Sequence, residues 1–279
     1  MKIGPYCVIA ANVEVGDGCR LQNHVTLEGP STIGAKNVFY AYASIGQQTQ
    51  DLKYRGEPTY LSVGDGNTFR ECVTVHRGTA PESYTRIGNL GNYLAYSHVA
   101  HDCTVGDGVI FSNNGTIAGH VVVEDYAIIG GLTAVHQGCR IGRHAITGGC
   151  SKIVQDVPPF MIADGNPAIV RGINQVGLER HAFDPESVRR LREAYRLARP
   201  DQATYLTKLL LGELRIGVRE GILEEAIAAA FARDAAEVRD AATVCTDPGE
   251  LAILASHDEL SRAVFVVGSP VAFMLASPI

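Results

Sequence analysis

The chain has 279 residues, 46% of them hydrophobic and 19% charged, which supplies ample apolar material for a core and excludes a disordered chain. Thirty glycines, 7% aromatic residues and no tryptophan favour many tight corners over bulky packing, and the absence of a three-residue glycine period excludes collagen. A net charge of −6 argues against a sequence-independent nucleic-acid binder, because neutralising a phosphate backbone needs surplus Lys and Arg.

From Ile3 onward an aliphatic or aromatic residue recurs every six positions: Ile9, Val15, Leu21, Leu27, Ile33, Phe39 and Ile45. The phase resumes at Val63, Phe69 and Val75, runs from Ile87 to Ile141 and closes at Ile153, with Asp51, Glu57, Pro81 and Thr147 as its exceptions. A helix cannot carry this pattern, since six residues advance it by about 600° and scatter the apolar positions around its axis. Six residues suit a short strand and a corner. Gly follows the apolar position at Gly4, Gly16, Gly34, Gly46, Gly64, Gly88, Gly106, Gly130 and Gly142, where a corner is expected to demand positive φ. Two positions before it the side chain is small or β-branched, as at Cys7, Cys19, Val25, Ala43, Cys103 and Cys139, giving a second inward slot. Three hexads make an eighteen-residue coil, and stacked coils build a parallel β-helix with three walls and a filled core.

Residues 47–62 and 77–86 are polar, carry Gly and Pro, and read as loops extruded from this prism. The Pro-rich DVPPFMIADGNPAIVRG ends the pattern, so a β-helical domain is expected over 1–172 and a helical one over 173–245. Asp184 and Pro185 form an N-cap and first-turn pair that opens a helix through about Leu197, with further helices at about 201–211 and 222–241. Residues 246–279 fit no element. Their apolar run is broken by Gly268, Ser269 and Pro270, so no transmembrane segment is expected. The odd count of seven cysteines, with no secretory leader before the repeat, points to a reduced cytoplasmic setting.

Five of the nine histidines (His76, His98, His101, His120 and His136) fall in the middle and later coils, close to the loops. An eighteen-residue coil stacks His101, Gly119 and Gln137 in one column and Asp102 and His120 in the next, with vertical neighbours about 4.7–4.9 Å apart. A general base, a supporting carboxylate and an amide that a reacting carbonyl can approach would thus share one small area. Zinc held by three imidazoles between subunits, as in gamma-class carbonic anhydrases, is the competing chemistry, and the reading adopted has no metal and no cofactor. The cysteines show no spaced CxxC pair and read as core fillers.

QDLKY at 50–54, VHRGT at 75–79, SHVAHDC at 97–103, IAGHV at 117–121, GGLTAVHQ at 130–137 and DVPPFMIADGNPA at 156–168 together resemble the UDP-N-acetylglucosamine O-acyltransferase family, which opens lipid A synthesis. The likeness runs in order to about residue 200. It implies a left-handed β-helix followed by a smaller helical domain, assembled as a homotrimer with active sites between neighbouring prisms. In that family the position of His101 removes the proton from the glucosamine 3-hydroxyl, which attacks a 3-hydroxyacyl thioester on acyl carrier protein. Asp102 matches the support of that base and Gly119 the oxyanion donor. Gln50, Asp51, Lys53, His98, His120, His136 and Gln137 match positions that line the sugar, diphosphate and acyl groups, and His76 joins them on the same grounds. Asn174 and Arg180 match the nucleotide end, Gly149 the position that measures acyl length, and its lack of a side chain leans toward a medium or long chain. Val176, His181 and Pro167 depart from the family pattern. The acidic carrier protein calls for a positive patch, for which Arg189, Arg190, Arg192, Arg196 and Arg199 are the candidates.

Overall fold

Residues eighteen apart stand one above another in the computed structural model, which describes residues 1–197, 220–245 and 248–263. Lys2 pairs with Arg20, Arg20 with Val38, and Thr116 with Ala134, all in parallel. The strands, most only two residues long, form three sheets of ten, eight and seven strands that are visited in turn as the chain winds. We call them the first, second and third walls. Where the two loops intervene, Val38 pairs with Thr68 and Thr68 with Asn92, so the insertions are whole hexads and the inward phase survives them.

The phase positions are the core. Leu27, Phe39, Ile45, Phe69, Val75, Val99, Phe111, Ile117 and Ile129 are fully buried, and Cys19, Val25, Ala43, Cys103 and Ala127 fill the second slot. Phe39, Phe69, Tyr93 and Phe111 stack along the first wall at successive centroid distances of 5.1, 4.8 and 5.1 Å, because one residue per coil points inward at the same place. Cys7, Cys19, Cys72, Cys103, Cys139 and Cys150 form no disulfide, and burial pushes the Cys103 thiol up to about 12, which removes it as a nucleophile at neutral pH.

The corners correct the expectation about glycine. Among the glycines that follow the phase position only Gly46 has positive φ. The left-handed conformation sits two residues further on and is held mostly by ordinary residues, including Tyr42, Tyr96, Asp102 (φ 57°) and His120 (φ 61°). Gly34 and Gly106 are required for a different reason: the side-chain oxygens of Asp65 and Asp125, one coil on, occupy the space a Cβ would need.

The loops are narrower than the sequence suggests, since strands reach Gln47 and restart at Tyr60, and the second loop ends where Tyr84–Ile87 begins. The Pro-rich segment, expected to cap the pattern, is a hairpin. Met161–Gly165 continues the first wall in parallel, and Ala168–Ile173 turns back antiparallel to it, closing that end of the ladder. Helices α1 (Gln175–Arg180) and α2 (Pro185–Leu197) follow, α2 being opened by Asp184, whose carboxylate accepts from the Ser187 N–H and hydroxyl.

The chain divides into two compact units, 1–212 and 213–279, so the expected domain boundary at 172 falls within the first unit at the hairpin–helix junction. In the second unit α3 (Glu220–Phe231), α4 (Ala235–Ala242) and α5 (Pro248–His257) bury Ile227, Val238, Ala241, Leu251 and Ala255 together. The helix expected over 222–241 is therefore two, broken where Asp234 caps α4, and α5 lies in the tail for which no element was expected. The helix expected at about 201–211 lies outside the described residues. Among the described residues no helix is long and apolar enough to cross a membrane.

Candidate active site

The candidate residues gather along the second wall. Its strands Thr74–His76, His98–Val99, Thr116–Ile117 and Ala134–Val135 are consecutive neighbours, and the corner that leaves this wall after the last three holds His101, Gly119 and Gln137 in one column. The His120 N–H donates to the His101 carbonyl at 3.0 Å and the Gly138 N–H to the Gly119 carbonyl at 3.1 Å, which fixes the spacing of that column.

His101 Nδ1 lies 2.8 Å from Asp102 Oδ2, with both side chains largely enclosed. The carboxylate in turn accepts the Thr79 N–H on both oxygens, at 3.2 and 3.1 Å, and faces His120 Nε2 at 3.8 Å. Burial raises the Asp102 pKa, but the nearby Ser83 hydroxyl, the His101 ring and the Thr79 N–H outweigh it and hold the group below the usual carboxylate range. An ionised Asp102 orients the imidazole through Nδ1 and leaves Nε2 as the reactive nitrogen. That ring lies directly over Gly119, where a methyl group would collide with His101 Cε1 and Nε2. No oxygen among the described residues accepts the Gly119 N–H. An imidazole and an amide donor with no acceptor among the described residues therefore lie side by side, a pairing that acyl transfer can use.

Around this centre, His98 Nδ1 sits 2.7 Å from the Thr74 hydroxyl, and His76 meets His98 edge to face at 4.8 Å. Burial, followed by the charges of His98, His101 and Arg77, pulls His76 down to about 4, and burial followed by His101 lowers His98. With a pKa of about 4, the His76 ring is neutral at pH 7. Gln50 and Asp51 line a groove of about 590 Å³ that reaches His76. Lys53 is exposed on the same loop, its N–H held by Asp51 Oδ1 at 2.9 Å. His136 and Gln137 are exposed beneath Gly119. His101, Asp102 and His120 also bring three donor atoms within 4.8 Å of one another, although the carboxylate is already engaged by His101 and Thr79.

The remaining candidates do not converge here within one chain. Gly149 is exposed at the corner between the first and second walls. Asn174 is buried at the third corner, where its Nδ2 donates to the His144 carbonyl at 2.8 Å and its Oδ1 accepts from the Gly177 N–H, so its amide is used in capping α1. Arg180 is exposed at the end of that helix, and His181 packs against His144 at 4.7 Å. On α2, Arg189 pairs with Glu186 and Glu193, and Arg190 with Glu186, so carboxylates of their own helix dilute the expected positive patch. Arg192 bonds Gln175, Arg196 is exposed, and Arg199 lies outside the described residues. The supporting residues Thr49, Thr74, Thr79 and Ser83 were not singled out from sequence. Thr49 and Thr79 lie in loops, where no period marks them, and Thr79 falls within the VHRGT motif.

Residues 2–29 match the family model for the bacterial transferase hexapeptide, six repeats, and residues 156–211 match domain 2 of UDP-N-acetylglucosamine O-acyltransferase. Among solved structures, UDP-N-acetylglucosamine O-acyltransferase from Moraxella catarrhalis is 42% identical, with a TM-score of 0.69 over 77% of this chain and 86% of that one. The Francisella novicida UDP-N-acetylglucosamine acyltransferase is 36% identical, with a TM-score of 0.71 over 76% and 80%. The Arabidopsis enzyme is 31% identical, with a TM-score of 0.65 over 84% and 92%. A hexad prism, a half-buried His–Asp pair above an unclaimed amide, and identities of this size across most of both chains lead to one assignment: the chain belongs to the UDP-N-acetylglucosamine O-acyltransferase family.

Proposed function

We infer that this protein transfers a 3-hydroxyacyl group from the thioester of acyl carrier protein to the 3-hydroxyl of UDP-N-acetylglucosamine, the step that opens lipid A synthesis. His101 Nε2 takes the proton of the sugar hydroxyl as its oxygen attacks the thioester carbonyl. Asp102 stabilises the imidazolium that forms, and the Gly119 N–H meets the oxyanion. The tetrahedral intermediate collapses by breaking the C–S bond, and the imidazolium returns its proton to the departing sulfur. Base catalysis of this kind contributes about 10²–10⁴-fold and a single oxyanion donor about 10²–10³-fold, so the two account for a large acceleration without a metal or a covalent enzyme intermediate.

The observation that carries this reading is the imidazole placed over Gly119 with its far nitrogen on Asp102. Gly149 and Arg180 stand away from His101 in one chain, which supports a homotrimer whose neighbouring prisms bring the acyl-measuring and nucleotide-binding residues to the same cleft. The Cβ direction at Gly149 meets nothing closer than the Gly131 carbonyl at 3.5 Å, leaving room for a medium or long acyl chain. Cys7, Cys19, Cys72, Cys103, Cys139 and Cys150, none in a disulfide, agree with a reducing cytoplasm as the site of reaction. The test is mass spectrometry of product from UDP-N-acetylglucosamine offered a mixed set of 3-hydroxyacyl carrier proteins, with and without chelator. The expected result is one O-acylated nucleotide sugar, equally formed in chelator. Acylation confined to a diamino-sugar nucleotide assayed alongside, or no acylation, overturns the assignment.

A further inference from the structure

The loop that precedes the catalytic coil reaches in two directions. Thr79 gives its N–H to Asp102, and its hydroxyl donates to the Thr49 hydroxyl at 2.8 Å. Thr49, only 5% exposed, also accepts the Asp51 N–H at 3.0 Å. A continuous line of hydrogen bonds thus runs from Asp51, on the loop assigned to the nucleotide sugar, through Thr49, Thr79 and Asp102 to His101 Nδ1. The two loops are already joined by backbone bonds from Gly78 to Tyr60 and from Glu82 to Pro58, so the hydroxyl pair is not what closes the fold.

We propose that Thr79, through its hydroxyl bond to Thr49, is a positioning residue that ties the placement of the sugar-binding loop to the carboxylate orienting the general base. The proposal rests on the acyl-transfer reading for its kinetic consequence but not for its geometry. Small displacements of a general base are expensive because its nitrogen must lie within hydrogen-bond reach of the proton it removes. Anchoring Asp102 to the loop gives the occupied sugar site a direct influence on the base. The groups facing His101 are Asp102, His120, His98 and His76, so a looser Asp102 leaves the imidazolium with less stabilisation.

Thr79→Val keeps the backbone N–H and removes the hydroxyl, Thr49→Val removes the acceptor, and Thr79→Ser keeps the bond. The expected result is a fall in kcat of about tenfold for either valine variant, an unchanged KM for the acyl donor, and a double variant no worse than the singles. Thr79→Ser recovers turnover to within about twofold, and the acid limb of the pH–rate profile moves to lower pH in Thr79→Val. Wild-type turnover in Thr79→Val, multiplied losses in the double variant, or a loss that follows the melting temperature and is not restored by serine overturns the proposal. A substrate-free readout separates its failure from failure of the acyl-transfer reading: the low-field proton of His101 Nδ1–H in histidine-labelled protein. Broadening of that resonance in Thr79→Val but not Thr79→Ser supports the positioning role even if no acyl transfer is found, and an unaltered resonance in Thr79→Val rejects it.

Discussion

Two corners of the prism share one backbone and treat it in opposite ways. Between the third and first walls, the N–H groups of Ala35, Asp65, Asn89 and Asp107 each donate to a side-chain oxygen one coil on, from Asp65, Asn89, Asp107 and Asp125. Every link is closed, and the corner is a stabilising ladder. At the equivalent position between the second and third walls stand His101, Gly119 and Gln137, where no such oxygen meets the Gly119 N–H. A repeating scaffold supplies the same donor at every coil, so the proposed acyl transfer needs only a column left without side-chain acceptors and the addition of one imidazole. The ladder corner should therefore govern stability and the open corner turnover.

The largest effect expected is from His101→Ala, which should lower kcat by about 10³-fold or more while the circular dichroism and melting temperature stay near those of the parent protein. Retained turnover would break the contrast at its centre. Gly119→Ala should cost about 10²-fold in kcat, because the new methyl displaces the imidazole above it; thermal denaturation should show little change. His76 tests the open corner through pH. Its folded pKa of about 4 lies below that of the unfolded chain, near 6.5. Between these values the unfolded state binds a proton that the folded state refuses, so stability falls as pH falls through that window. His76→Asn should flatten the stability profile there by about 2–3 kcal/mol, read from denaturant titrations at pH 7 and pH 4.5. The smallest effect is from Asp107→Ala, which strands the Asn89 N–H: about 1–2 kcal/mol of stability lost, with kcat unchanged in steady-state assays. A kcat loss there would mean the two corners are not independent.

Much of the fold was legible because a period of six over so many coils admits few backbones, and the loops announced themselves by losing it. The His101–Gly119 column followed from the same arithmetic. What was misread was local. Glycine after the phase position suggests a positive-φ corner, whereas close approach by the next coil is its reason at Gly34 and Gly106, and ordinary side chains hold the left-handed site. The break before α4 went unseen because Asp234 lies in an unbroken run of helix-forming residues and caps only when the chain turns there.

By itself the amino-acid sequence determined the periodic inward face, and with it the coil length, the stacking of residues eighteen apart and the vertical neighbours of any side chain, since these depend only on spacing along the chain. Only the tertiary structure decided which hydrogen-bond donors are closed and which are open, that Asn174 caps a helix, and that Thr79 grips Asp102. Those contacts join residues from different coils and loops through particular side-chain directions, and no period in the sequence encodes a direction.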